Sequence, residues 1–186
     1  MLVQRTVVGP RRVVDQGDLL RDVELVEFAL EDQGIIEVSK IIFPLSVVLT
    51  QTCDVHEDYA VRWGRSGRGT PRKAMLSYLV APVYNAAQLV DGTHLQDLGI
   101  NLKKIESKTE QQHMFNNAHP RYHHLRFAED IPLADSIVDF KHYFTASPAH
   151  LRERKRNGHV CRLCVPHREA LSHRFAAWLS RVGLPE

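Results

Sequence analysis

Cys53 and Asp54 close the stretch Lys40–Asp54 and are the first residues whose types invite a chemical reading. Ile41, Ile42, Phe43, Leu45, Val47, Val48 and Leu49 form a β-branched apolar run too short to span a membrane, and it breaks into Thr50-Gln51-Thr52-Cys53-Asp54. Such a run reads as a strand buried on both faces whose end opens onto a surface or cleft. With His56 close behind, that end offers a thiol, a carboxylate and an imidazole, the groups that acid–base or thiol-dependent hydrolytic chemistry uses. The competing reading is a plain strand end, with Thr and Asp in turn hydrogen bonds and Cys53 a small core residue. A nucleophilic cysteine needs a base within reach, and spacing assigns none of the eleven histidines to that place.

A second constellation is basic. Arg62–Lys73 reads RWGRSGRGTPRK, with Arg62, Arg65, Arg68, Arg72 and Lys73 and no acid among them. Its glycines and proline predict a mobile loop without regular structure. Arginines on such a loop suit a phosphate backbone while the Trp63 indole stacks on a base. A solvated hairpin loop that binds nothing is the alternative.

Two histidine-bearing segments complete the set. Asn116, Asn117, His119, His123 and His124 crowd around Pro120, at a density that suits metal ligation or phosphoryl chemistry, but no recognised metal spacing is present and a polar surface loop is the simpler reading. Cys161 and Cys164 make a C-x-x-C between His159 and His167. If Val160–Val165 is a strand, residues three apart face opposite sides and the thiols diverge; there is no second ligand pair and no glycine turn between them. The expectation is therefore no metal and no cofactor.

Composition bounds what positions these groups. The 186 residues, 44% hydrophobic and 25% charged, fit one globular domain able to bury a core, and the formal charge of +2 generates no global field toward nucleic acid or membrane. No window approaches the roughly 18 apolar residues of a spanning helix, no apolar leader follows Met1, and three cysteines cannot all pair, so a reduced, cytoplasmic protein without membrane contact is expected.

Along the chain, Met1–Val14, with Arg5, Arg11 and Arg12, reads as a loose lead-in. Val23–Leu30 alternates with period two apart from Val26 and predicts a strand, Glu31-Asp32-Gln33-Gly34 a turn, and Ile35–Val38 the return. Met75–Tyr84 is a core strand that pairs with Leu45–Thr50, and Pro82 marks its end or a sheet edge. Asn85–Pro120 reads as an insertion of short helices, Tyr122–Phe127 and Ser136–Phe140 as short strands, and Phe144–Pro148 as a turn. Ser147 caps, and Pro148 opens, a helix through Lys155 that ends in basic residues before Gly158. Pro166 opens a C-terminal helix with Leu171, Phe175, Trp178, Leu179 and Val182 on one stripe, a basic face of His167, Arg174 and Arg181, and Gly183 as its stop.

This order of elements resembles the MazF/PemK toxins. The residues that carry the resemblance are Gly17-Asp18, Pro44-Leu45-Ser46-Val47-Val48-Leu49, Leu79-Val80-Ala81-Pro82, and Ser136–Phe140 with the helix behind it. It implies an α+β chain, mainly β: a small SH3-like antiparallel barrel (about 17–84 and 121–165) with a helical insertion (about 85–120) and a C-terminal helix (about 166–183), all in a single domain. It also implies a metal-independent endoribonuclease acting on single-stranded RNA, often dimeric, of the toxin or defence kind. The family's Arg before the core-strand proline is Phe43 here, and its Thr-Ser after the second core strand's proline is Val83-Tyr84, so barrel and nuclease site are separable. Two classes of function stay open: a barrel that binds RNA or other nucleic acid through Arg62, Trp63, Arg65, Arg68, Arg72 and Lys73, with Cys53, Asp54 and His56 near the strand end; and a non-catalytic interaction subunit with a protein partner.

Overall fold

Gln33 and Gly34, with φ of 50° and 82°, reverse the chain in a two-residue turn of left-handed residues, the geometry that matches the twist of the strands it joins. Those strands are the expected ones. Their register shifts between Val26 and Phe28, leaving Glu27 as an extra residue, and this bulge is the physical reason the period-two pattern breaks at Val26.

A computed structural model of the chain describes residues 6–7, 13–64 and 70–181. In chain order the elements are β1 (Thr6–Val7), β2 (Asp18–Leu20), β3 (Val23–Asp32), β4 (Ile35–Phe43), β5 (Ser46–Val48), α1 (Thr52–Trp63), a 3₁₀ turn (Pro71–Lys73), β6 (Tyr78–Asn85), α2 (Ala86–Asp91), a 3₁₀ turn (Gln96–Leu98), α3 (Lys108–Phe115), β7 (Tyr122–Leu125), β8 (Ser136–Asp139), a 3₁₀ turn (Phe140–His142), β9 (Phe144–Ala146), α4 (Pro148–Asn157), β10 (His159–Leu163) and α5 (Val165–Leu179). The chain is thus α+β, its strands antiparallel in the pairings given below, with a C-terminal helix. Among the described residues no helix is long and apolar enough to cross a membrane. Chain contacts gather into two compact units.

The first unit, Val8–Pro82 with Phe144–Arg162, carries the barrel. Its strands run β10-β2-β5-β6-β9, with Leu19 opposite Val47, Val47 opposite Ala81 and Leu79 opposite Thr145. The two core strands expected to be neighbours therefore are. β2 continues into β3 past Asp22, and the far edge β9 reaches β3, with the Phe43 and Phe144 rings 5.1 Å apart, so the sheet curls around one core. Leu20, Val23, Val48, Val55, Tyr78, Val80 and Leu151 fill it. Each large side chain removed from water there contributes about 1.5–3 kcal/mol.

Several expectations are corrected here. The strand ends at Val48, and the chain then turns into α1, so Cys53, Asp54 and His56 sit on a helix rather than at a strand end. Only Val55 and Asp58 of that helix are buried, which leaves too thin an apolar stripe to announce it. Phe144–Ala146 is a strand, not a turn. Pro82 does not end β6: its ladder to β9 stops at Val80 and its ladder to β8 starts at Val83, so the missing N–H falls between partners. α4 matches expectation, with Ser147 Oγ accepting from His150 N and Pro148 in the first turn. Its Lys155, one of the basic residues of the last turn, is fully buried.

The second unit includes Val83–Tyr143 and the chain from Leu163. Val83–Asn85 pairs with β8, and β8 with β7. The expected short helices are present, α2 capped by Asn85 and α3 by Ser107, and they enclose a core of Tyr84, Ala86, Leu89, Leu95, Met114, Tyr122 and Ile137. Leu171 and Phe175 of α5 are buried as the stripe predicts, with Phe175 and Trp178 packed on Phe140 and Tyr143. The helix stops at Leu179, which is exposed; Val182 and Gly183 lie outside the described residues, as do Arg5, Arg11 and Arg12. Arg174, expected on a basic face, instead donates to the carbonyls of Asn117, His119 and Tyr122, tying the histidine-rich segment to α5.

Candidate active site

Cys53 is exposed in the first turn of α1, its Sγ 3.7 Å from Gln51 Oε1 and from Asp54 Oδ1. Both contacts are acceptors, so the thiol's neighbours there are not bases in the sense a cysteine nucleophile needs. His56 Nε2 lies 3.8 Å from Asp15 Oδ2. The histidine thus faces a carboxylate of the preceding segment.

The basic run is largely spoken for within the protein. Arg62 Nε donates to both Asp58 oxygens at 2.9 Å and its guanidinium to Met75 O; Asp58, fully buried, also accepts from Tyr78 Oη at 2.7 Å and Met75 N at 2.7 Å. Burial and the Asp58 hydrogen bond push the Tyr78 hydroxyl well above its ordinary range. Trp63 lies 5.5 Å from the Tyr59 ring and has the Arg152 guanidinium 4.6 Å over its face, occupying a side that base stacking would use. Lys73 pairs with Glu57, and Arg72 is exposed. Arg62 and Trp63 end a helix and Pro71–Lys73 is a 3₁₀ turn, so the expectation of an element-free run does not hold at its two ends; Arg65 and Arg68 lie outside the described residues.

Beneath α4 the barrel unit holds a buried charge network. Asp18 Oδ1 accepts from Lys155 Nζ at 2.8 Å and Arg162 Nε at 2.8 Å, and lies 3.3 Å from His159 Nε2, while Asp15 Oδ2 meets Arg162 Nη1 at 2.8 Å. Burial raises the Asp18 carboxyl, and the hydrogen bonds of His159 and Arg162 with the charges of Lys155 and Arg162 outweigh it, holding it below the usual carboxylate range. Asp18, Lys155 and His159 are closed off from solvent, and Arg162 is 29% exposed. Cys161, next to this network, is buried, and burial pushes its thiol up to about 12, which makes it inert. Cys164 sits at the N-cap of α5. Among the described residues no group of three or more His, Cys, Asp or Glu side chains could hold a metal ion.

The second unit assembles a different cluster. Tyr84 Oη and His142 Nδ1 share a hydrogen bond of 3.1 Å, and His142 Nδ1 lies 3.5 Å from Asp139 Oδ2. Arg121 grips both Asp139 oxygens, its Nε at 2.7 Å, and His94 packs edge-on to the Tyr84 ring at 4.7 Å. Asp139 is 1% exposed, whereas His142 and Arg121 remain 25% and 30% exposed. A buried carboxylate therefore orients an imidazole and a guanidinium that both reach solvent. Burial holds His142 below its ordinary value against the opposing pull of Asp139, and burial with the repulsion of His142 does the same for His94. Burial and the Asp139 charge hold the Tyr84 hydroxyl protonated. The cluster thus presents neutral imidazoles, able to take a proton at neutral pH, next to a fixed positive charge.

Sequence reasoning missed this cluster. Tyr84 and Asp139 read as strand residues, and nothing in the spacing joins Tyr84 to His142, 58 positions on. The histidines singled out lie nearby in the fold but are used differently. His119 Nδ1 accepts from Arg121 N at 3.2 Å, His124 Nδ1 lies 3.1 Å from Phe115 O, and His123 is buried with no hydrogen-bond partner for either ring nitrogen among the described residues.

No family model, no curated protein and no solved structure matches this chain.

Proposed function

We propose that this chain binds single-stranded RNA and cleaves it as a diverged, metal-independent endoribonuclease of the MazF/PemK-like kind, working through Tyr84, His94, Arg121, Asp139 and His142. The observation that carries the reading is the neutral His142 imidazole held between the Tyr84 hydroxyl and the Asp139 carboxylate, with Arg121 on the same carboxylate. RNA self-cleavage needs a base for the 2′-hydroxyl, an acid for the leaving oxygen and a cation at the phosphate. His142 takes the 2′-hydroxyl proton, the 2′-oxygen attacks phosphorus, and the 5′-oxygen departs with a proton from solvent water. Arg121 faces the phosphate, and the products are a 2′,3′-cyclic phosphate and a 5′-hydroxyl. That Tyr84 occupies the position following the second core strand's proline, where the family it resembles has its Thr-Ser, favours a site moved within an inherited scaffold.

Incubating the purified chain with a single-stranded RNA in EDTA tests this. Cleavage to 2′,3′-cyclic ends is expected, with His142→Ala slower by about 10²-fold or more. An intact RNA, or equal cleavage by the variant, refutes it. A second reading, an interaction subunit of a larger assembly, is favoured by the exposed apolar side chains of β3 and β4.

A further inference from the structure

The β3–β4 ribbon carries large apolar residues that the fold leaves in water. Val26, Phe28, Leu30, Ile35, Ile36 and Val38 are all exposed, Ile35 and Ile36 by 72% and 71%. The register sets Phe28, Leu30 and Ile35 on the face that begins with buried Val23 and Phe43, and Val26, Ile36 and Val38 on the opposite face. The ribbon is thus apolar on both sides beyond its packed base.

Two strands alone are marginal in water, and β3 and β4 form a sheet of their own with no further strand on either edge among the described residues. Apolar surface at this density marks a place where another molecule lies. The charges decide which kind. Glu24, Glu27, Glu31, Asp32 and Glu37 stand against a single cation, Lys40, and that lysine is paired with Glu24 at 2.8 Å. An acidic ribbon on a chain of formal charge +2 repels a phosphate polymer, an anionic bilayer and a second acidic ribbon alike.

We propose that the β3–β4 ribbon is a docking arm for a protein partner whose binding segment is apolar and flanked by Lys or Arg. The partner covers Ile36 and Val38, and its cations meet Glu31 on the same face, with Asp32 and Glu37 of the other face adding to the negative field. The reading is independent of the chemistry at His142.

The probe is a labelled twelve-residue peptide alternating Val with Lys, titrated into the full chain and followed by fluorescence anisotropy. Its controls are the same peptide with Glu in place of Lys, a poly(U) strand and phosphatidylserine vesicles. Binding of the Lys peptide is expected, weakened about tenfold or more by Glu31→Lys with Glu37→Lys, and likewise by Ile36→Ser with Val38→Ser. Both double variants alter exposed positions, and their far-UV circular dichroism is expected to match the parent. The proposal is overturned if the Lys peptide does not bind, if the Glu peptide binds equally, or if either folded variant binds as the parent does. Direct binding of labelled poly(U) or of the vesicles to the chain that the Ile36→Ser, Val38→Ser variant abolishes, or a dimer in sedimentation that the same variant abolishes, overturns it as well.

Discussion

Asp18 shows how a single position can look functional and be structural. Its carboxylate is surrounded by Lys155, Arg162 and His159, all contributed by segments more than a hundred residues away in the chain, and it is fully buried with Lys155. Removing one member of a buried ion network leaves the others charged and unpaired, which costs about 3–5 kcal/mol. Urea unfolding of Asp18→Asn is expected to show a loss of that order, and an unchanged midpoint would mean the network contributes nothing. The contrast with Asp139 is instructive. Both are buried carboxylates gripped by a partly open arginine, but the imidazole on Asp18, His159, is buried whereas His142 on Asp139 is 25% exposed.

At the scale of elements, α5 is a brace as much as a core helix. Arg174 donates to three backbone carbonyls of the Asn117–Tyr122 segment. Charged hydrogen bonds of this kind contribute about 1.5–3 kcal/mol each when buried. Arg174→Met is therefore expected to lower stability by about 2–4 kcal/mol and to raise amide hydrogen exchange across Asn117–Tyr122; exchange unchanged in that segment would refute the brace. Elements with strong local signals were legible: the β3–β4 hairpin through its period and its Gln33-Gly34 turn, β6 through its apolar run, α4 through Ser147 and Pro148. α1 was not, because its inward face is made by Val55 and by Asp58, a charge whose burial depends on the distant Tyr78 and Met75. The cluster at Tyr84 was not legible for the same reason, since His142 meets Tyr84 and Asp139 only once β6 and β8 pair.

Over the whole molecule, each compact unit has its own core, and histidines are buried in the one built around Tyr84 and Met114. Burial pushes His123 down to about 3, and His94, His119, His124 and His142 are also lowered chiefly by burial. A histidine of depressed folded pKa binds its proton more readily when unfolded, so its stability contribution is complete above about pH 6.5 and declines as pH falls toward the folded value. Unfolding free energy is expected to drop between pH 6.5 and 4, by about 1.4 kcal/mol per pH unit from His123 alone, and His123→Phe is expected to flatten that slope. A flat profile would contradict the burial of these rings. If His142 is the base of the proposed cleavage, its lowered pKa means that the rate is expected to rise with pH and to be near its plateau by about pH 6.5. The assignment of the centre itself is tested most directly by following the imidazole ¹⁵N resonances of the full chain during titration with a single-stranded RNA whose reactive 2′-hydroxyls are replaced by hydrogen. Saturable shifts at His94 and His142, with His56 and His150 unmoved, are expected; shifts confined to His56, or none at His142, would contradict an RNA site at Tyr84, Asp139 and His142.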